Sequence, residues 1–496
     1  MTMKRRDFLR YTGLGAASLP LGIEGLLDAA PQAKRWNILV ITSDEHNPKI
    51  MGCAGHPIIK TPALDRLARE GTMFTRAYCA DPICAPTRQS FMTANYPQEH
   101  GQFTNSHVFN ENMRTWGNHF HEHGYTTACI GKMHTNNEKF KFGFDYRTLP
   151  HPGGLKKHWD AQDKKAYDAS PDSRFSGMIL DTPKLEHDGA VIEDSVRWLK
   201  ENKDKQFFMH CSMVKPHWPW DAPNDLYHMY DPAKIDYPRQ IPGDLDDDWA
   251  PRKVYEDFSW NKITEQMHRV YRARYYGSLT WLDSNVGRML DTLDELHLAD
   301  HTLVVYFTDH GDMASEKGCW LKSVMFDASA RIPLLFRMPG VVTAGKKCNE
   351  LINHVDLFPT IAGLAGADSE LPANLTGRNF SQAVLGNAKG REISFSVHGV
   401  HAWNKPPQQV MARTDRWKFN WYPAAPQERD KYVLYDMEND PDEITNLAWR
   451  PEHKKVVADH RHAIDQFFAG LKKHPYEPVV MDKQLRKSER KYKREG

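Results

Sequence analysis

The sequence predicts an α/β fold built on a mostly parallel sheet, and three observations carry that prediction. Four apolar, β-rich runs recur along the chain with little alternation of polar and apolar residues. Strands buried on both faces read this way, and parallel sheets are covered on both faces. Segments with helical spacing lie between the runs, the alternation that generates parallel pairing. Each run ends in a polar cluster, and sheets of this kind bind ligands at the carboxyl ends of their strands.

The first run, residues 36–42, leads into Ser43-Asp44-Glu45-His46. Residues 61–71 then predict a helix. Thr61 is placed to cap it, Pro62 suits its first turn, Leu64, Leu67 and Ala68 share a face, and Gly71 stops it. The second run, 126–130, leads into Gly131-Lys132-Met133-His134. Residues 188–200 read as a helix through Val191, Ser195 and Leu199. The third run, 207–212, leads into Lys215-Pro216-His217. A longer helical region spans 267–296, with Tyr271, Leu279, Leu282, Val286 and Leu290 available for burial. The fourth run, 302–307, leads into Thr308-Asp309-His310-Gly311-Asp312. Segments 151–183 and 221–252 are rich in Pro and Asp and read as surface insertions that shape a cleft. Beyond about Gly377 the strands are shorter and more alternating, at 391–400 and 409–422. They predict a smaller antiparallel sheet with a terminal helix over 454–471.

The 496 residues, 40% of them hydrophobic, are enough for a large core in more than one domain. Sixty-five basic and 64 acidic residues leave a formal net charge of +1, so no global basic field favours nucleic acid. The basic stretch 483–494 reads as a solvated tail. Seven cysteines are odd in number and sparse for a disulfide scaffold, and no Cys-x-x-Cys pair suggests a zinc ribbon. Lys4-Arg5-Arg6-Asp7-Phe8-Leu9 precedes an apolar run from Tyr11 to Leu27, a pattern similar to a twin-arginine export signal. That run holds Glu24 and is short for a membrane anchor. The expectation is a periplasmic or extracellular protein with no stable membrane insertion.

Pro82 and Pro86 flank Cys84, and residues 87–93 read as a helix. Cys84 then sits at a helix N-terminus, where free N–H groups and the dipole favour an anion. Arg88, four residues on, is placed for the same side. Such a cysteine is a low-pKa nucleophile, an anion-site residue or a buried structural thiol. The segment Cys84-Ala85-Pro86-Thr87-Arg88 resembles the Cys-x-Pro-x-Arg signature of type I sulfatases, and Phe74-Thr75-Arg76-Ala77-Tyr78 and Ser90-Phe91-Met92-Thr93 fit its flanks. The resemblance implies that a formylglycine-generating maturation enzyme oxidises Cys84 to formylglycine, whose hydrate is the nucleophile toward sulfur. Ala94 stands where the family usually has glycine, a change expected to alter helix packing mildly without loss of the site.

Asp44, Asp309 and His310 come from the ends of two different runs. Carboxylates suit hard cations such as calcium, and histidine also suits manganese or zinc. Asp44-Glu45 and Asp309-His310-Gly311 resemble the two metal segments of sulfatases. The implied centre is one divalent metal, Ca2+ first with Mn2+ or Zn2+ as alternatives, held by Asp44, Glu45, Cys84 as modified, Asp309 and His310. Glu45 is a methylene longer than an aspartate there, which makes it the least secure ligand.

Gly131-Lys132-Met133-His134, Lys215-Pro216-His217-Trp218-Pro219 and the segment from Gly318 to Lys322 also resemble sulfatase segments. The implied roles follow residue by residue. Lys132 and Lys322 hold the sulfate oxygens, and Arg88 braces the formylglycine. His134 orients the nucleophile or assists hemiacetal collapse, and His217 meets the substrate as proton donor to the leaving alcohol. These roles are physically coherent, because a transferring sulfuryl group needs charge stabilisation and a poor alkoxide needs a proton. Segments 331–340, 354–360 and 434–441 extend the resemblance over most of 36–470. It implies the alkaline phosphatase-like fold: a large mixed, mostly parallel sheet sandwiched by helices, with a smaller C-terminal antiparallel sheet and helix. The expected organisation is an export segment over 1–33, a catalytic domain over 34–377, a C-terminal subdomain over 378–480 and a basic tail over 481–496.

The expected activity is hydrolysis of a sulfate ester on a small molecule or a saccharide. A saccharide is preferred, because export brings the enzyme to extracellular polymers. Trp218, Trp220, Trp249, Trp260, Trp320 and Trp403 are candidate stacking surfaces for sugar rings. Choline and aryl sulfates stay open, and Asp309-His310 equally fits a phosphonate monoester or phosphodiester hydrolase of the same superfamily. A cysteine phosphatase commonly has five residues between its Cys and Arg where Cys84 and Arg88 have three. A non-catalytic glycan binder leaves the nucleophile, metal and acid set without a purpose.

Overall fold

The structure, a computed structural model, describes residues 35–137, 140–148, 182–241, 243–399 and 408–472. The export segment, nearly all of the 151–183 insertion, Trp403 and the basic tail lie outside the described residues.

Eight strands form the main sheet: β1 (Asn37–Asp44), β2 (Thr72–Tyr78), β3 (Thr126–Gly131), β4 (Tyr146–Thr148), β5 (Phe207–Pro216), β6 (Thr302–Thr308), β7 (Arg331–Arg337) and β8 (Lys346–Asn353). Their order is β4-β3-β5-β1-β6-β7-β2-β8. All neighbours are parallel except β7, which is antiparallel to both β6 and β2. The four apolar runs are β3, β5, β1 and β6, contiguous in the sheet. The edge strands β4 and β8 are polar and partly exposed, as solvent-facing edges tend to be, so an apolar-run criterion passes them by.

Both faces of β1 are covered. Leu39 and Ile41 belong to one core cluster, Ile38 and Val40 to another. Seven helices of nine residues or more occur among the described residues: α1 (Pro62–Glu70), α2 (Cys84–Thr93), α3 (Thr182–Asn202), α4 (Trp249–Asp257), α5 (Glu265–Glu295), α6 (Leu357–Ala365) and α7 (Lys454–Gly470). Helices α1, α3 and α5 supply the first cluster, and α2 and α6 the second. The predicted helices are all present, with α3 starting six residues earlier than read.

One local expectation fails. Thr61 does not cap α1 through its side chain. Its hydroxyl oxygen accepts instead from the Gly52 N–H at 2.8 Å. The free N–H groups of Ala63 and Leu64 donate to the Asp283 carboxylate of α5 at 3.0 and 2.8 Å. A partner 219 residues downstream replaces the neighbour, a choice no local pattern reveals.

A second sheet, β12-β11-β10-β9, is wholly antiparallel, with β9 (Ser394–His398), β10 (Gln409–Arg413), β11 (Trp417–Trp421) and β12 (Tyr432–Asp436). The 409–422 segment is therefore a hairpin rather than one strand. Helix α7 packs Ile464 and Phe467 against this sheet. The sheet is tied to the main body: Val397 N–H donates to the Ala80 carbonyl at 2.8 Å, and the buried Lys418 ammonium pairs with Asp327 and Glu443. The 221–252 insertion is not all surface. Asp248 is buried and accepts hydrogen bonds from the Tyr422 and Tyr435 hydroxyls of the C-terminal sheet region. No described helix is long and apolar enough to cross a membrane.

Candidate active site

Parallel pairing of β3, β5, β1 and β6 brings their carboxyl ends to one edge of the sheet. Asp44, Lys132, His217, Asp309 and His310 follow from that topology. Gly131 ends β3 at φ 100°, and a Cβ there would lie 1.9 Å from the Ser212 carbonyl oxygen. Only glycine permits this approach, which lets Lys132 N–H bond that same carbonyl at 3.0 Å.

Cys84 is the first residue of α2, so the helix begins at the cysteine itself, three residues before the predicted start. The Ala85 N–H donates to Asn105 Oδ1 at 2.9 Å. The Cys84 sulfur is buried, 3.2 Å from His310 Nε2 and 3.7 Å from Asp44 Oδ1. Burial and Asp44 push its thiol up, but Lys322, Lys132 and His310 outweigh them and leave it below the ordinary thiol value.

Arg88 is wholly buried and spends all five donors on protein oxygens. Nε donates to Asp309 Oδ2 at 2.8 Å and Nη2 to Asp44 Oδ2 at 3.1 Å. Nη1 serves the Lys132 carbonyl and Ser212 Oγ, and Nη2 also serves the Ser43 carbonyl. It therefore acts on position 84 through the carboxylates beside it. Asp44 also accepts from the Lys132 ammonium. Burial opposes the Asp44 charge, yet Lys132, His217 and Arg88 hold it well below the usual carboxylate range. Asp309 Oδ1 accepts from the N–H groups of Glu45 and His310 at 3.1 and 2.9 Å.

The side chains of Asp44, Cys84, Asp309 and His310 offer four ligand atoms within 4.8 Å of one another, all from buried residues. Burial works against an imidazolium at His310, but Asp309 lifts it to about 9. Glu45 is not one of these four. It joins Asp44 and His217 in a second constellation. Its carboxylate pairs with Lys322 at 3.2 Å, and Oε2 lies 3.5 Å from His217 Nε2, while Oε1 is buried without a partner. Burial pushes Glu45 up to about 7 against the pull of Lys322.

His217 Nδ1 lies 2.6 Å from the Trp218 carbonyl, which only an N–H can serve, so Nε2 is the atom facing Glu45. His134 is half-buried, and burial with the Lys132 charge keeps its ring neutral. All ten predicted site residues are thus linked in one cluster of close ion pairs, hydrogen bonds and charge interactions. The tryptophan reading needs correction: Trp220, Trp260 and Trp320 are core side chains, 0–1% exposed, whereas Trp218 and Trp249 are partly exposed. Ala94 is also reinterpreted. It is the residue just past α2, at φ 56°, ψ 31°. It is buried in the core there, and the left-handed conformation costs alanine on the order of 1 kcal/mol.

The sequence did not single out Asn105, Ser212, Asp312 or the buried pair Asp81–His398, whose Oδ1 and Nδ1 lie 2.7 Å apart. Asp312 and Asp81 lie within three residues of His310 and Cys84, a proximity that could have flagged them. Nothing local marks Asn105, Ser212 or His398.

Comparison with known proteins agrees with this geometry. The family model described as Sulfatase matches residues 36–367, and the one described as N-sulphoglucosamine sulphohydrolase, C-terminal, matches residues 315–469. The chain is 28% identical over 432 residues to a choline-sulfatase of Rhizobium meliloti, covering 84% of this chain and 83% of that one. It is 24% identical over 507 residues to an N-acetylglucosamine-6-O-sulfatase of Bacteroides thetaiotaomicron, covering 88% of each. The crystal structure of a phosphonate monoester hydrolase of Agrobacterium radiobacter superposes with a TM-score of 0.72 at 22% identity, covering 88% of this chain and 96% of that one, which establishes the shared fold. The matched family domain opens one residue before β1 and closes just beyond α6, enclosing every side chain of the cluster from Asp44 to Lys322, and on that ground the chain belongs to the sulfatase family and is a sulfuric ester hydrolase.

Proposed function

We propose that this enzyme removes sulfate from a sulfated carbohydrate through a formylglycine made from Cys84, with one divalent metal, and that it acts after export to the periplasm or beyond. The observation that carries the mechanism is the convergence of Cys84 with Asp44, Asp309 and His310 inside 4.8 Å, with Lys132 and Lys322 beside them. The donor set suits a metal. Two buried carboxylates lie beside the Arg88 guanidinium, which bonds their Oδ2 atoms while their Oδ1 atoms stay toward Cys84 and His310. Asp44, Asp309, His310 and position 84 would hold it, with Ca2+ first by ligand hardness and Mn2+ next by the histidine. When bound, such a cation stabilises charge on the sulfate oxygens and favours an ionised hydroxyl at position 84.

The chain's own residues account for the rest. Lys132 and Lys322 supply positive charge for the sulfuryl oxygens. Arg88 keeps Asp44 and Asp309 in place. His217 presents Nε2 toward Glu45 at 3.5 Å, at the position for a proton donor to the leaving alcohol. The N-acetylglucosamine-6-O-sulfatase relative supports the carbohydrate class. The Arg5-Arg6 start supports export in a folded state, after maturation and metal loading.

A second reading, a phosphonate monoester or phosphodiester hydrolase, draws on Asp309-His310 and the shared fold. Parallel rates on mono-sulfated saccharides, 4-nitrophenyl sulfate and an aryl phosphodiester decide between them, with a phosphodiester preference overturning the sulfatase substrate. Mass analysis of the Cys84 peptide in active enzyme should show loss of the thiol sulfur, and Cys84→Ala should reduce turnover by at least about a thousandfold. Chelation should abolish turnover, with recovery on adding Ca2+ or Mn2+. An unmodified thiol in fully active protein would sink the mechanism.

A further inference from the structure

The C-terminal sheet presses two polar side chains against the catalytic floor that the chemistry above leaves unused. His398 ends β9, Gln409 begins β10, and the two are direct partners across the ladder. Directly opposed residues project from the same face of a sheet, with Cβ atoms about 5 Å apart. Both are buried, at 1% and 0% exposure. His398 Nδ1 meets Asp81 Oδ1 at 2.7 Å, and Asp81 lies three residues before Cys84. Gln409 Nε2 donates to the Ser323 carbonyl at 2.7 Å, and Ser323 directly follows Lys322. Ser323 N–H in turn donates to the Pro82 carbonyl at 3.1 Å, joining the two turns. The pair is therefore wedged between the turn that carries the nucleophile and the turn that carries Lys322.

The Asp81 carboxylate accepts from Nδ1–H of His398, and in the neutral Nδ1–H tautomer Nε2 offers a lone pair. The Ser323 carbonyl accepts, so the Gln409 NH2 points at it and Oε1 is left as an acceptor. Among the described residues, neither His398 Nε2 nor Gln409 Oε1 has a hydrogen-bond partner. Two adjacent buried acceptors without donors are costly to keep in a fold, and such groups call for an explanation in terms of function or an occupant.

We propose that His398 Nε2 and Gln409 Oε1 form the subsite for the alcohol part of the ester, where they accept hydrogen bonds from hydroxyl or amide N–H groups of a mono-sulfated sugar. This rests on the carbohydrate reading above and sharpens it. Side-by-side acceptors disfavour a second sulfate or a carboxylate at this position. The choline cation has no N–H and gives them no donor, as does a plain aryl ring. The subsite thus selects neutral, hydroxylated sugar next to the scissile sulfate.

The matured holoenzyme, His398→Ala and Gln409→Leu should be assayed on a panel of mono-sulfated galactose and N-acetylglucosamine and on 4-nitrophenyl sulfate. For the best saccharide, the ratio of its kcat/KM to that of the aryl ester should fall roughly tenfold or more in each variant, mainly through KM, as expected for one lost hydrogen bond and a stranded partner. If His398→Ala does not fold, Gln409→Leu, which leaves the Asp81–His398 pair intact, decides alone. Equal losses on both substrate classes overturn the subsite, because the pair then only props the turns of Cys84 and Lys322. An unchanged ratio also overturns it, because the two acceptors then hold only water. Wild-type enzyme that splits the aryl ester but no saccharide defeats the carbohydrate reading itself, a result distinct from either of these.

Discussion

At the scale of single residues, the site works by setting charges against burial. His217 Nε2 faces Glu45 Oε2 at 3.5 Å. His217→Ala should lower kcat/KM by about 10²–10⁴ on an alkyl sulfate and by much less on 4-nitrophenyl sulfate, whose phenolate leaves without help. A steady-state comparison of the two substrates checks this, and equal losses would argue against a proton-donor role. His354 shows the reverse use of burial. Its Nε2–H donates to the Thr308 carbonyl at 3.0 Å, and its Nδ1 meets Thr87 Oγ1 of α2 at 2.7 Å. Burial depresses it from 6.5 to about 3. A depressed histidine contributes stability that is present above pH 6.5 and lost as pH falls toward 3, because the unfolded chain binds the proton first. The gap in unfolding free energy between wild type and His354→Gln should therefore shrink by about 2 kcal/mol from pH 7 to pH 5. Urea titrations at the two pH values measure it.

At the scale of elements, helix starts matter most. Helix α2 begins on Cys84, and all ten of its residues are buried, so its position is set by the core rather than by solvent. Helix α1 has no side-chain cap of its own and depends on Asp283 from α5. Asp283→Ala should cost about 1–2 kcal/mol, the upper range for a lost N-cap, because two buried N–H groups lose their acceptor. Chemical denaturation checks the value, and turnover per folded molecule should stay near wild type. The strands of the central sheet were legible as apolar runs because two clusters bury both of their faces. Strands β4 and β8 were not, since edge strands keep polar residues.

At the scale of the whole molecule, the two sheets are joined by buried charge. Lys418 on β11 is fully buried between Asp327 and Glu443, and its Nζ also donates to the Met325 carbonyl. Lys418→Met should destabilise the protein by about 3–5 kcal/mol, since it strands two carboxylates away from water. By contrast Arg416→Met, which removes a half-exposed partner of Asp436, should leave the thermal midpoint nearly unchanged. Differential scanning calorimetry of the two variants tests the contrast. The same joint carries Ser396, Val397 and His398 past residues 79–81, which brings a segment more than 300 residues downstream beside the nucleophile turn.

The sequence by itself determined the sulfatase-like motif around Cys84, the acidic and basic clusters at the strand ends, and the α/β class, because each is written in local spacing: apolar runs, helix periodicity and short signatures. Only the tertiary structure decided which groups meet. It assigned Arg88 to Asp44 and Asp309, placed Glu45 beside His217 and Lys322, buried three of the proposed stacking tryptophans, and brought His398 and Gln409 to the turns beside Cys84 and Lys322. Side-chain direction and contacts between distant segments depend on register and packing across both sheets, and neither is encoded in the spacing of neighbours along the chain.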